Sequence, residues 1–200
     1  MGEAKRRAKE IEQLMRLASA WRDALSPEEL MILQLAERLD ERLVRAKKFS
    51  EGCYHLAFFM TKYLASKGVT VAPQIGWVND GTWQGMTSHA WIEFNGKMTD
   101  VSLGYTSHPE AQPTGAVIAH DHVLRKGMAE YTYYNNDHPE VHAGIQYMRS
   151  NPDLVAILAF KENQHAHMVE IAKAGLSAID SYLSKAPNGL QYADLARLVD

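Results

Sequence analysis

Cys53, His89 and Asp100 are the residues whose types and order could do chemistry together: a thiol nucleophile, an imidazole base and a carboxylate to orient that base. Cys53 is the only cysteine in the chain. It follows Ser50, Glu51 and Gly52 and opens an apolar segment, Tyr54 to Met60, that reads as a helix. A thiol with the ordinary pKa of about 8.5 is mostly protonated at neutral pH, and only the thiolate attacks well. With Ser50 as the cap, Cys53 occupies the third helical position, where unpaired backbone N–H groups and the positive end of the helix dipole favour an anion. A cysteine so placed, with a histidine cation nearby, typically falls to a pKa of about 3.5 to 7.5. Gly52, immediately before it, leaves room for a substrate backbone.

His89 and Asp100 flank Asn95-Gly96, the strongest short-range hairpin signal. A two-residue loop there pairs Phe94 with Lys97, Trp91 with Asp100 and His89 with Ser102. Side chains alternate along a strand, so His89, Trp91, Asp100 and Ser102 are expected on one face of the sheet. His89 and Asp100 are then diagonal neighbours, roughly 7 to 8 Å apart at the backbone. One imidazole nitrogen can donate to Asp100 while the other faces the thiol. Trp91 forms a wall that limits water around that bond. Acyl transfer also needs donors for the developing oxyanion. The Cys53 backbone N–H is one, and Gln74 is the candidate for the second; the competing reading of Gln74 is a polar strand residue facing solvent.

The elements that must position these residues are legible from periodicity. Ile11, Leu14, Met15, Leu17, Ala18, Trp21 and Leu25 recur at helical spacing and predict an amphipathic helix from Glu3 to Leu25. Ser26, Pro27 and Glu29 form a cap, first-turn proline and capping-box signature, so a second helix is expected from Pro27 to about Lys47. The cysteine helix should run from Glu51 to about Ser66, with Gly68 just beyond its end. Val69 to Val78 reads as a strand whose Pro73 and Gly76 suggest a sheet edge or bulge. A loop from Asn79 to Thr87 leads to paired strands, Ser88 to Phe94 and Lys97 to Leu103. Beyond Gly104 the chain is polar and aromatic, with a strand signal at Tyr131 to Tyr134. Helices are expected over Pro139 to Arg149, Pro152 to about Lys185, and Tyr192 to Val199. There is no internal repeat, so residues 1–200 read as one domain: an N-terminal helical hairpin over 1–49, a core over 50–104, and an irregular then mainly helical part over 105–200.

Two hundred residues with 46% apolar side chains can bury a substantial core. A net charge of −3 supplies no clustered basic face, so no nucleic-acid partner is expected. A lone cysteine forms no intramolecular disulfide, as suits a reducing compartment. The start lacks the apolar core of a signal peptide, and the longest apolar run, Leu154 to Phe160, is far too short to span a bilayer. The expectation is a soluble cytoplasmic protein with no membrane partner and no cofactor.

Nine histidines invite a second chemistry. His120 and His122, His138 and His142, and His165 and His167 are pairs at spacings used by metal ligands, but nothing in the spacing selects a third ligand. Such clusters are more often polar loop and surface residues.

Glu51-Gly52-Cys53, the helix ending at Leu64 to Val69, the strand carrying Gln74 to Trp77, and His89-Ala90-Trp91-Ile92-Glu93 with Gly96 and Asp100 resemble the core of the transglutaminase-like superfamily. That group includes bacterial cysteine proteases, and the His-Ala-Trp stretch is similar to the leader peptidases of lasso-peptide biosynthesis. The resemblance covers a little over a quarter of the chain. Members usually have a longer segment between histidine and aspartate, often with a tryptophan before the acid, where this chain has Met98-Thr99. The resemblance implies a papain-like α+β core, with the cysteine helix packed on an antiparallel sheet, and makes Cys53 nucleophile, His89 base and Asp100 orienter. The expected activity is thiol-dependent hydrolysis of a peptide, protein or small amide substrate, or acyl transfer, through a thioester. The alternatives are a binding module that keeps the fold without turnover, and a histidine-based metal site.

Overall fold

A computed structural model describes residues 6–7, 13, 16 and 19–200. The helix expected from Glu3 to Leu25 lies largely outside the described residues; its last part, 19–23, is helical. Helix α1 (Pro27–Leu39) starts as its sequence dictates. Glu29 N–H donates to Ser26 Oγ at 3.1 Å and Ser26 N–H to Glu29 Oε2 at 2.9 Å, with proline in the first turn. Its stripe of Ile32, Leu33, Leu35, Ala36 and Leu39 is buried. The helix does not continue regularly to Lys47: it passes into a π-helical turn, Asp40–Arg45, which keeps Leu43 and Val44 inside and also turns Asp40 inward.

Helix α2 (Cys53–Ser66) is buried at every position from Tyr54 to Thr61, as its nearly all-round apolar sequence requires. Phe58 and Phe59 are fully enclosed, and burying one such side chain contributes roughly 1.5 to 3 kcal/mol. Against it packs an antiparallel curled sheet made of β1 (Ala72–Asn79), β2 (Thr87–Phe94), β3 (Lys97–Thr99) and β6 (Thr132–Tyr134) in the order β3-β2-β1-β6. Strand β1 is therefore central, not an edge. Strand β6 pairs only with Trp77, Val78 and Asn79, so Pro73 sits on the half of β1 that has a single neighbour and its missing N–H leaves no partner unsatisfied. At Gly76 a side chain would collide with the Tyr134 carbonyl oxygen and the Trp91 ring, which explains the glycine without a bulge.

The Asn95-Gly96 turn forms with both residues in the left-handed region, φ 52° and 73°, and the register Phe94–Lys97, Glu93–Met98, Ile92–Thr99 follows. The second strand stops there instead of reaching Leu103. Asp100 leaves β2 and exchanges both backbone hydrogen bonds with Ile118, and Ser102–Gly104 coils into a 3-10 turn. Ile118 belongs to a small second sheet of β4 (Val117–Ala119) and β5 (His122–Arg125), closed by His120 and Asp121 at positive φ.

Helices α3 (Pro139–Ser150), α4 (Pro152–Ala174), α5 (Leu176–Ser184) and α6 (Tyr192–Val199) complete the chain. The single helix expected from Pro152 to Lys185 is broken at Gly175, whose φ of 81° no other residue adopts readily. Arg38 of α1 and Arg42 of the π-helical turn donate to the carbonyls of Val199 and Leu198 at 2.6 and 2.7 Å, capping the last helix. Among the described residues no helix is long and apolar enough to cross a membrane.

Candidate active site

Cys53 is the first residue of α2, not the third. The helix start is displaced because Glu51 adopts φ 60°, outside the helical region, so Ser50 cannot cap it; its hydroxyl pairs instead with that of Ser107 at 2.9 Å. The Gly52 carbonyl accepts from Leu56 N–H at 2.9 Å and closes the first turn. Cys53 is thus half-buried at the end of a fourteen-residue helix whose first N–H groups have no intrahelical acceptor. Gly52 lines the cavity that opens at Cys53, and a side chain there would also run into the Phe49 ring.

His89 lies on β2 beside Gly76 of β1. Its Nε2 is 2.7 Å from Asp100 Oδ2, and each residue is 2% exposed. Asp100 has every lone-pair direction served. Ser102 N–H and Oγ–H donate to Oδ1 at 2.8 and 2.7 Å, and Tyr133 O–H donates to Oδ2 at 2.7 Å. Cys53 lines the same cavity as the imidazole and interacts with it electrostatically, and with Nε2 committed to Asp100 the nitrogen left to face the thiol is Nδ1. Burial alone would lower the His89 pKa, but the charges of Asp100 and Cys53 and the hydrogen bond to Asp100 prevail and push it up to about 10. Burial likewise works to raise Asp100, yet attraction to His89 and the donors from Ser102 hold its carboxyl below the usual range. Burial, reinforced by the neighbouring Asp100 charge, pushes Tyr133 far up and keeps it a donor.

A cavity of about 300 Å³ opens on this group, lined by Cys53, His89, Thr87 and Ser102 and, from α4, by Phe160 and Gln164. Gln74, on β1 opposite Trp91, does not line it. Trp91 is not a wall of the cavity either. It lies behind the imidazole, ring centres 6.4 Å apart, with the Tyr133 ring edge-on to both. The pair is kept dry by this aromatic backing.

The other histidines are dispersed. His120 Nε2 bonds to the Glu29 carbonyl at 2.9 Å, His122 stacks on Trp21, and His138 accepts from Glu140 N–H as the cap of α3. Among the described residues no three histidine, cysteine or acidic side chains gather in a way that could hold a metal ion. Compared with protein-family models, with curated proteins and with solved structures, the chain matches none.

Three contributors to the site escaped sequence reasoning: Ser102 as a donor to Asp100, Tyr133, and a hydroxyl–imidazole chain of Tyr54, Ser88 and His165. Tyr54 O–H lies 2.5 Å from Ser88 Oγ, which lies 2.5 Å from His165 Nδ1. A tyrosine in a strand-like Tyr-Thr-Tyr-Tyr run is an ordinary β signal, and nothing local in the sequence says which tyrosine turns inward or what it meets.

Proposed function

We propose that the protein is a thiol-dependent hydrolase or acyl transferase acting on amide or peptide bonds, built on a transglutaminase-like, papain-like core. The observation that carries this reading is the buried His89, bonded to a fully coordinated Asp100 and opening with the half-exposed Cys53 on one cavity. That is the base-plus-orienter arrangement of covalent thiol catalysis.

The Cys53 sulfur adds as thiolate to the carbonyl carbon, and the carbonyl electron pair moves to oxygen. Backbone N–H groups at the start of α2 are the donors best placed for that oxyanion. On collapse the C–N bond breaks and the leaving amine takes the proton of the His89 imidazolium. Neutral His89 then accepts a proton from water, or from an acceptor amine, as it attacks the thioester. The product is an acid or a new amide, and the thiolate–imidazolium pair is restored. A cavity of about 300 Å³ sits at the lower end for ligand sites and suits a peptide side chain or a small amide.

The single cysteine makes the test clean, because every alkylation event reports Cys53. Iodoacetamide should modify the native protein rapidly in mildly acidic buffer, and His89→Ala should slow that reaction by tenfold or more (about 1.4 kcal/mol per tenfold). Cys53→Ser should abolish release from fluorogenic peptide amides. An alkylation rate untouched by His89→Ala would sink the proposal, and a reactive thiol that cleaves or transfers none of a broad amide panel would favour a binding module.

A further inference from the structure

The Tyr54, Ser88 and His165 chain is a polar network that the chemistry above does not use. Asn136 donates its amide N–H to the Ile75 carbonyl at 3.1 Å, so its Oδ1 faces His165 Nε2, 2.8 Å away, as an acceptor. His165 Nε2 therefore carries the proton and Nδ1 accepts from Ser88 O–H. Ser88 Oγ in turn accepts from Tyr54 O–H. Every donor has one acceptor, and the direction runs from α2 through β2 to α4. The His165 ring is further clamped by stacking on Trp77, ring centres 4.5 Å apart. Tyr54 and His165 are buried, at 6% and 8% exposure.

The sequence positions matter most. Tyr54 is the residue after Cys53 and Ser88 is the residue before His89. One hydroxyl thus ties the helix that carries the thiol to the strand that carries the imidazole, and both tied residues line the same cavity as Cys53 and His89. An apolar trio would fill this space with no desolvation cost. A directional network instead penalises any slide of α2 along β2, since a shift of about 1 Å or more takes both hydrogen bonds out of range at once.

We infer that Ser88, held between Tyr54 and His165, is a positioning residue that sets the distance between Cys53 and His89, and that α4 supplies the anchor through His165. This rests on the thiol–imidazole reading above, and the experiment separates the two.

The measurement is the second-order rate of Cys53 alkylation by iodoacetamide on the full chain, with circular dichroism and the thermal midpoint recorded for each variant. Ser88→Ala, Tyr54→Phe and His165→Phe should each slow alkylation by roughly tenfold (about 1.4 kcal/mol), while Ser88→Thr, which retains the hydroxyl, restores most of the rate. In a His89→Ala background the same substitutions should change the rate little, because the distance they control no longer matters. Should Ser88→Ala fail to fold, Tyr54→Phe, which loses a single oxygen, carries the reading. Variants that lower the thermal midpoint but alkylate at the parent rate overturn the inference, as do variants that slow alkylation equally with and without His89. If His89→Ala alone leaves the rate unchanged, the thiol–imidazole reading itself falls.

Discussion

The His89 imidazole and the Asp100 carboxylate meet at 2.7 Å with both residues closed to solvent, and the carboxylate accepts three further hydrogen bonds. An uncompensated buried carboxylate costs several kcal/mol; one that is paired and fully coordinated does not. The pair is therefore held charged by its surroundings, and two consequences for stability follow from the directions of its pKa values.

Stability should depend on pH through this pair at both ends. His89 is raised from its ordinary 6.5 to about 10, so its contribution is complete below 6.5 and is lost as pH rises through about 10. Asp100 is lowered from its ordinary 3.8, so its contribution is present above that value and lost as pH falls through its folded-state pKa. The thermal midpoint of the parent protein minus that of His89→Gln should be greatest between about pH 4 and 6.5 and should shrink on approaching pH 10. A difference that grows through pH 10 would show that the imidazole is held neutral.

Tyr133→Phe removes one donor to Asp100 while leaving the ring that packs edge-on against His89 and Trp91. The loss should be about 2 kcal/mol, the range for a hydrogen bond to a charged acceptor, read as a lower urea midpoint at constant slope. Alkylation of Cys53 should slow by less than in Asp100→Asn. The latter variant also presents an amide N–H to donors that need an acceptor, so it should lose more stability than Tyr133→Phe.

Much of this arrangement was legible where contacts are local. The Ser26 to Glu29 capping box, the Asn95-Gly96 turn and the Phe94–Lys97 register are decided by residues within a few positions of one another, and each formed as its sequence reads. Where distant residues compete, reading failed. The hairpin register pairs Asp100 with Trp91, but Ile118 takes its backbone. The helix start moved two residues because Glu51 is held at positive φ in the tight passage from the π-helical turn into α2. Tyr133 and His165 reach the site from residues far along the chain through β6 pairing and α4 packing, for which a single sequence carries no local signal.

Asp40 illustrates a support of that long-range kind. Turned inward by the π-helical turn, its carboxylate accepts from Arg125 at 2.6 and 3.2 Å and from Arg45 at 3.0 Å, and Arg125 also donates to the Gly104 carbonyl at 3.0 Å. The α1 side of the molecule is thereby tied to the turn that presents Ser102 to Asp100. Asp40→Asn should cost about 1 kcal/mol, because it removes the charge facing two guanidinium groups that solvent partly screens while leaving an amide oxygen as acceptor, and it should slow Cys53 alkylation modestly through Ser102. Equal urea midpoints for variant and parent would show that the guanidinium finds an alternative partner.

Gly76→Ala tests whether the sheet itself delivers Tyr133 to the site. Gly76 pairs directly with His89, and a methyl group there would collide with the Tyr134 backbone oxygen on one side and the Trp91 ring on the other. Backbone cannot yield as a side-chain tip does, so the short strand β6, paired to β1 at only three positions, is the element that must move. Its departure would draw Tyr133 off Asp100 and open the aromatic backing of His89 to water. The expected result is a stability loss of about 1 to 3 kcal/mol, as for overpacking, accompanied by slower Cys53 alkylation. Adding Tyr133→Phe to Gly76→Ala should then cost less than Tyr133→Phe costs alone, since the hydrogen bond is already gone. Full additivity of the two substitutions would mean that β6 stays in place and that the strain is absorbed by Trp91.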